Sequence, residues 1–259
     1  MKYFLPVLQV ELIKVRKSTV IWITVAAFTL VPLIAGFFIF ALKYPEFAES
    51  YGLLEAKSHI AGEASWPAYL NLLAQMIAVG GILIFGFVTS WLFGREYTDG
   101  TVNDLLALPY PRSVLVLAKF IAMCITTLLM TVYIVLLGLV IGWLIDLPQW
   151  SISLFADGMT VLLVVTIMTI ALSMPVAFFA SFGRGFLSPL GFVIFMLVLS
   201  QLIAATGYGE YFPWSIPAIY SGVVEKEMSL GWINFSIILI TGIIGLFSTL
   251  YWWLFADQH

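Results

Sequence analysis

Six runs of nearly unbroken apolar residues, at about 20–42, 69–93, 118–145, 156–180, 189–206 and 231–256, constrain this 259-residue chain more than any motif in it. Each is near the twenty or so residues that a helix needs to cross a hydrocarbon core of roughly 30 Å. In lipid the backbone amides must be satisfied within the segment, so such runs read as membrane helices. The ten-residue alternating segments of a membrane β-barrel are missing. The expected fold class is therefore all-α integral membrane, with six transmembrane helices. Too few residues lie between the runs for a separate soluble domain, so residues 1–259 read as one domain. Composition agrees: 62% of residues are hydrophobic and the mean hydropathy is +1.08, far from the range of soluble domains. The first run is longer than the core of a cleavable signal and follows a charged, helix-like stretch, so it reads as a retained span.

An even number of spans puts both termini on one side. Lys2, Lys14, Arg16, Lys17, Arg95, Arg112, Lys119 and Arg184 fall on that side, against Lys43, Lys57 and Lys226 on the other. Basic residues in short loops stay cytoplasmic, so both termini are expected inside. The net charge of −3 comes mainly from acidic residues of the outer loops, among them Glu46, Glu49, Glu55, Glu63, Glu210, Glu225 and Glu227, and points to no nucleic-acid partner. The single cysteine, Cys124, excludes an intramolecular disulfide framework.

Residues 1–18 differ from the spans. At 100° per residue, Phe4, Val7, Leu8, Leu12 and Val15 share an apolar face, with Lys2, Gln9, Arg16 and Lys17 opposite. Such a helix, which also carries Lys14, lies along the inner membrane surface like an elbow, its basic side meeting anionic lipid heads. Glu11 falls in the middle of the apolar face. It either sits shallow enough to stay wet or is paired with a cation from an inner connector, for which Arg95 is the first candidate.

The connector at 94–113 gathers charge in a chain only 10% charged. Gly100 permits a turn, and Thr101 with Asp104 has the spacing of a shortened capping box, so a short helix is expected from 101 to 108. Val102, Leu105 and Leu106 share a face of it, and Pro109 ends it. Pro109, Tyr110 and Pro111 form a rigid corner, with Ser113 placed to cap the third span. The stretch reads either as a linker whose leucines touch the bundle or as a knob for a cytoplasmic protein.

The stretch "FGREYTDGTVNDLLALPYPRSVLVLAK" resembles the connector between the second and third spans of type-2 ABC exporter permeases, especially the small bacitracin-resistance and lantibiotic-immunity kind. The matching positions are Arg95 with Glu96, Gly100 with Thr101, Leu105 with Leu106, Pro109, Arg112 with Ser113, and Lys119. The elbow-like first helix ending in "KVRKS", the six-span count and the inner loop around Arg184 match in layout. The resemblance implies a coupling helix resting on an ATPase subunit. It further implies a pathway built from two copies, or from one plus a sister permease, and ATP with Mg on the partner rather than on this chain. It also implies export across a bacterial plasma membrane, of a peptide antibiotic or a similar amphipathic substrate.

The chain holds no Gly-x-x-x-x-Gly-Lys-Ser/Thr loop to cradle phosphates, so the energy source lies elsewhere. The cores of the six runs carry no ionisable residue, which counts against the alternative of a secondary transporter or channel-like protein. His59 and His259 lie in an outer loop and at the C-terminus, so neither an intramembrane catalytic pair nor a metal site is expected. Mildly polar residues remain within the spans: Asn71, Gln75, Thr126, Thr127, Thr131, Thr166, Thr169, Ser173, Gln201, Asn234 and Thr241. Singly they read as groups that pack helices through hydroxyl and amide hydrogen bonds between them, with the Gly138/Gly142 pair in the same role, and collectively they suggest a pathway suited to amphipathic or lipid-like cargo. The outer connector at 207–230 is aromatic, with Tyr208, Tyr211, Phe212, Trp214 and Tyr220. Pro213 and Pro217 break it, so a re-entrant or interfacial helix pair is expected. Pro175 is expected to bend the fourth span.

Overall fold

The computed structural model describes residues 3–44, 46, 63–223 and 230–256. Lys2, Glu49, Glu55, Lys57, His59, Glu225, Lys226, Glu227 and His259 lie outside the described residues. The chain is all-helical among the described residues, and six helices are long and apolar enough to cross a membrane. Helix α1 (Phe4–Lys17) precedes a first span made of α2 (Thr19–Phe28) and α3 (Leu30–Lys43). The remaining spans are α4 (Trp66–Thr98), α6 (Arg112–Leu144), α7 (Ile152–Phe182), α8 (Leu187–Ala205) and α10 (Trp232–Phe255). Between them lie the short helices α5 (Val102–Leu106) and α9 (Ile216–Tyr220).

Helices α4 and α7 form the centre: 56% of the most apolar window of each is buried, against 17% for α8. They pack chiefly on each other, with α10 against α7 and α1 against α6. Tyr69, Ile77 and Phe85 of α4 and Trp253 of α10 are among the fully buried side chains. The outward faces keep large apolar groups such as Leu129, Leu239 and Phe247 exposed, as a lipid-facing surface requires.

Small residues set the helix separations. A Cβ on Gly138 would stand 2.8 Å from Leu73 Cδ1, and one on Gly142 2.5 Å from Trp66 Cη2, so this pair is where α6 receives α4. Gly245 of α10 meets the backbone of Pro175 in α7. Pro175 has no N–H for the Ala171 carbonyl, and that oxygen would lie 3.1 Å from a Cβ on Gly242.

The hydroxyls behave differently from the expectation of bonds between helices. Thr126, Thr127, Thr131, Thr166, Thr169, Ser173 and Thr241 all donate to the carbonyl four residues back in their own helix. With little room for a partner at close helix contacts, the preceding turn is the nearer acceptor. Gln75 and Asn234 do reach other segments, donating to the carbonyls of Gly222 and Glu210.

At one end of the bundle, Lys43 donates to the Ile145 carbonyl and Gln149 to Glu63. The 209–220 segment also lies there, and it differs from the expected helix pair: two 3₁₀ turns, Gly209–Tyr211 and Pro213–Ser215, lead into the five-residue α9. Trp214 and Ile216 are buried in the bundle, and Ser215 donates to the Ser200 carbonyl, while Tyr208 and Tyr211 stay outside. Residues 224–229 of this connector are not among those described. The opposite end carries α1, the α4–α6 connector, the α7–α8 turn and the end of α10.

Replacing Gly142 by Ala should force apart α6 and the rigid Trp66 indole, at about 1–3 kcal/mol. Gly191→Ala, where a Cβ meets nothing within 4 Å, should be neutral or stabilising. Thermal unfolding of the two variants in detergent checks this; a Gly142→Ala protein as stable as wild type would contradict the close packing.

Candidate functional site

The apolar face expected of α1 forms as written, with Val7 buried and Phe4 and Leu8 packed on Leu115 and Ala118 of α6. Glu11 shares that face and is 2% exposed, so its carboxylate is paired rather than wet. Its partners are Lys14 Nζ at 2.6 Å and Lys119 Nζ at 3.1 Å. Glu96 Oε1 joins them, 2.7 Å from Lys119 Nζ and 3.1 Å from Lys14 Nζ. Two carboxylates and two ammonium groups thus close a neutral ring between α1, the end of α4 and the start of α6. Lys119 is fully buried and donates a third hydrogen bond, 2.9 Å, to the Leu92 carbonyl. Its three N–H groups therefore meet three acceptors, as a buried ammonium needs. Lys14 keeps its head part-exposed. Glu96 Oε2 is buried without a hydrogen-bond partner among the described residues, so Glu96 depends on its other oxygen.

Arg95 is not the partner of Glu11. Adjacent helical residues point 100° apart, so when Glu96 turns inward Arg95 turns out. Its guanidinium lies 4.8 Å from the Trp91 ring and its Nε 3.7 Å from Asp99 Oδ2. Nor are the span cores' inner margins free of ionisable groups: α4 runs on to Thr98 and α6 starts at Arg112, so Glu96 and Lys119 lie within long helices. A 33-residue helix is about 50 Å long, and the surplus over a bilayer core of roughly 30 Å leaves both residues room near the interface.

The connector opens on a glycine-dependent cap. Gly100 adopts φ +69°, its N–H donates to the Tyr97 carbonyl at 3.3 Å, and the Thr101 N–H returns to the Glu96 carbonyl at 2.9 Å. This Schellman turn closes α4 and launches α5. Thr101 sits at the N-cap, but its hydroxyl makes no capping bond: its backbone, at φ −96° and ψ 5°, is outside the extended region from which an N-cap side chain reaches the first turn. The short helix forms over five residues rather than eight. Val102 is buried, and Leu105 and Leu106 are half-buried against the bundle. Thr101, Asn103, Asp104, Ala107, Leu108 and Pro109 face outward. Pro111, not Ser113, is the N-cap residue of α6, and no side chain caps it.

Arg112 donates to the Trp253 carbonyl at 3.3 Å, tying the start of α6 to the end of α10. Arg184 occupies the left-handed position after α7, at φ +50°, and the Gly185 N–H returns to the Ala180 carbonyl at 3.2 Å, a second Schellman turn. This turn is packed on α4: a Cβ on Gly94 would stand 2.9 Å from the Gly185 carbonyl oxygen. Arg16 and Lys17 are exposed at the end of α1, where the Arg16 carbonyl accepts from Trp22 Nε1 at 2.9 Å. The structure therefore brings together Glu11, Lys14 and Glu96, and adds Lys119. Arg95, Asp104, Arg112 and Arg184 surround them at the same end without joining the ring. Lys119 had a signal in the sequence: a lone lysine inside "VLVLAKFIAM", a residue whose burial requires acceptors from neighbouring helices.

A bundle of six membrane-spanning helices with an amphipathic entry helix and a short polar cross-helix between the second and third spans defines an all-α multi-pass membrane protein. The family profile of ABC-2 family transporter protein matches residues 7–200, and the chain belongs to that family. The chain is similar to the bacitracin transport permease protein BCRB of Bacillus licheniformis, 26% identical over 180 residues, which cover 69% of this chain and 86% of that protein. The chain is thus an ABC transporter permease subunit of the bacitracin-resistance kind.

Lys119→Met should cost about 3–5 kcal/mol of stability, since it strands two buried carboxylates. Arg95→Met should cost about 1 kcal/mol or less, because its ion pair is part-exposed. Denaturation of the purified variants distinguishes them; equal losses would place the charge balance elsewhere.

Proposed function

We propose that the chain is the transmembrane half of an exporter driven by a separate ATPase, and that the surface formed by Asn103, Asp104, Ala107, Leu108 and Pro109, together with Arg184, receives the push of that ATPase. The observation that carries this reading is the attachment of the connector. It hangs between two 33-residue helices whose adjoining ends are held by one ring of buried charges. Displacement of α5 would pass through the Gly100 turn to α4 and through the Pro109–Pro111 corner to α6. The α7–α8 turn moves with them through its contact at Gly94. ATP and Mg belong to the partner, since this sequence has no phosphate-cradling loop, and the chain acts as a transport subunit rather than as an enzyme. Two permease copies, or one with a sister permease, complete the pathway. Both termini are cytoplasmic: among the described residues, Lys14, Arg16, Lys17, Arg95, Arg112, Lys119 and Arg184 lie at the α1 end and only Lys43 at the other. The cargo is an amphipathic peptide antibiotic or a similar molecule, moved out of a bacterial cell across its plasma membrane. This reading rests on the likeness to the bacitracin permease and on spans free of midplane charge.

Leu105 and Leu106 face the bundle in part, so the sharper test lies on the outward strip. Ala107→Asp with Leu108→Asp should abolish co-purification of the ATPase subunit while membrane insertion persists. Undiminished binding would refute a docking role for this helix. Sidedness has its own test. A cysteine at Asp99 should react with a membrane-impermeant thiol reagent only after lysis, whereas one at Gln149 should react in intact cells. The reverse pattern would invert the topology.

A further inference from the structure

A cavity of about 780 Å³ opens on the membrane-facing side of the chain, between α1, α2 and α6, well within the roughly 300–1,000 Å³ of ligand pockets. Its walls include Val15, Val25, Leu129 and Tyr133, and its lining is almost wholly apolar. The polar groups in the wall are spoken for. Thr126 donates to the Ala122 carbonyl, Thr29 to the Val25 carbonyl and lies 3.1 Å from the Tyr133 hydroxyl, and the Trp22 indole donates to the Arg16 carbonyl. An occupant of the cavity must therefore be hydrocarbon along its length.

Arg16 is the one charged residue in the lining, and it stands at the α1 end. Among the described residues no carboxylate lies within ion-pair distance of it, in contrast to Lys14 two residues earlier. The cavity follows the ten residues of α2 from this end to the Thr29–Tyr133 contact, about 15 Å, which is half of a hydrocarbon core of roughly 30 Å. A slot one leaflet deep, dry inside and cationic at its interfacial mouth, has the shape and charge of a single lipid. We propose that this groove holds one acyl chain of an anionic glycerophospholipid, with the lipid phosphate on the Arg16 guanidinium. The planar fork of arginine suits a phosphate, and Lys17, exposed beside it, adds charge for an anionic headgroup. The lipid would wedge α1 against α6 from the side opposite the charged ring, as a resident part of the fold. The proposal rests on this chain alone and does not depend on the ATPase or the cargo.

Native mass spectrometry of the purified full chain in mild detergent, titrated separately with dioleoylphosphatidylglycerol and dioleoylphosphatidylcholine, tests it. The wild type should hold one phosphatidylglycerol per chain more tightly than phosphatidylcholine. Arg16→Gln, a change at an exposed position, should weaken phosphatidylglycerol binding at least about tenfold, the share of a charge-assisted hydrogen bond, and bring the two lipids level. Ala26→Trp, which fills the groove from its exposed wall, should remove the first bound lipid of either kind. Undiminished phosphatidylglycerol binding by Arg16→Gln would overturn the proposal, whatever the fate of the tryptophan variant. So would an Ala26→Trp protein that keeps its lipid but changes its oligomeric state, since a second copy of the chain would then be what covers the groove.

Discussion

The arrangement of the α1 end depends on one desolvated ammonium group. Lys119 Nζ, fully buried, is held by Glu11 of α1, by Glu96 of α4 and by the Leu92 carbonyl of α4. An ammonium taken out of water at this depth is tolerated only while all three donors have acceptors. Those acceptors come from two other helices, so the requirement fixes where α1 and α4 meet α6. Glu11 also explains why an amphipathic entry helix is seated rather than merely floating: its apolar face sits on Leu115 and Ala118, and its carboxylate completes the ring.

Given that junction, the surrounding elements become a connected body. The Schellman turn at Gly100 uses the carbonyl of Glu96, the residue whose side chain binds Lys119. The local geometry of the connector and the charged ring therefore share a residue. Arg112 carries the start of α6 to α10, and Gly94 carries the end of α4 to the turn at Arg184. In the coupling proposed above, a force on the outward strip of α5 would reach α4 through the hydrogen-bonded turn at Gly100 and α6 through the Pro109–Pro111 corner. Arg184 holds a left-handed conformation that costs an arginine about 1–3 kcal/mol. The turn it belongs to is seated on α4 through the approach of the Gly185 carbonyl to Gly94.

Much of this architecture was legible in the chain. Apolar runs separated by turn residues gave the six spans, the 100° periodicity gave α1 and its face, and Gly100 with Pro109 bracketed α5. The helix ends were less legible, because charged residues can extend a membrane helix past the bilayer: α6 starts at Arg112, not near 118, and α4 continues to Thr98. That same extension hid the charged ring. Lys119 read as one more basic residue of the inner side, and Arg95 as the first candidate partner for Glu11. Which of two adjacent residues faces inward is settled by packing across three helices. The hydroxyls of Thr126, Thr166 and Thr169 were misread for a related reason, since a sequence does not distinguish a bond to a neighbouring helix from one to the preceding turn. Trp214 has the aromatic character of an interfacial residue, yet it is buried with Phe192 and Phe212.

The central claim is that Glu11 and Lys119 act as one unit joining α1 to α6. A double-mutant cycle on unfolding free energy, with Glu11→Gln, Lys119→Met and the two combined, measures that directly. The account predicts that the double variant is more stable than the sum of the single losses implies, by about 1–3 kcal/mol, as for residues sharing a buried network. The same cycle between Glu11 and Arg95 should be additive to within about 0.5 kcal/mol. Additivity between Glu11 and Lys119 would contradict the account.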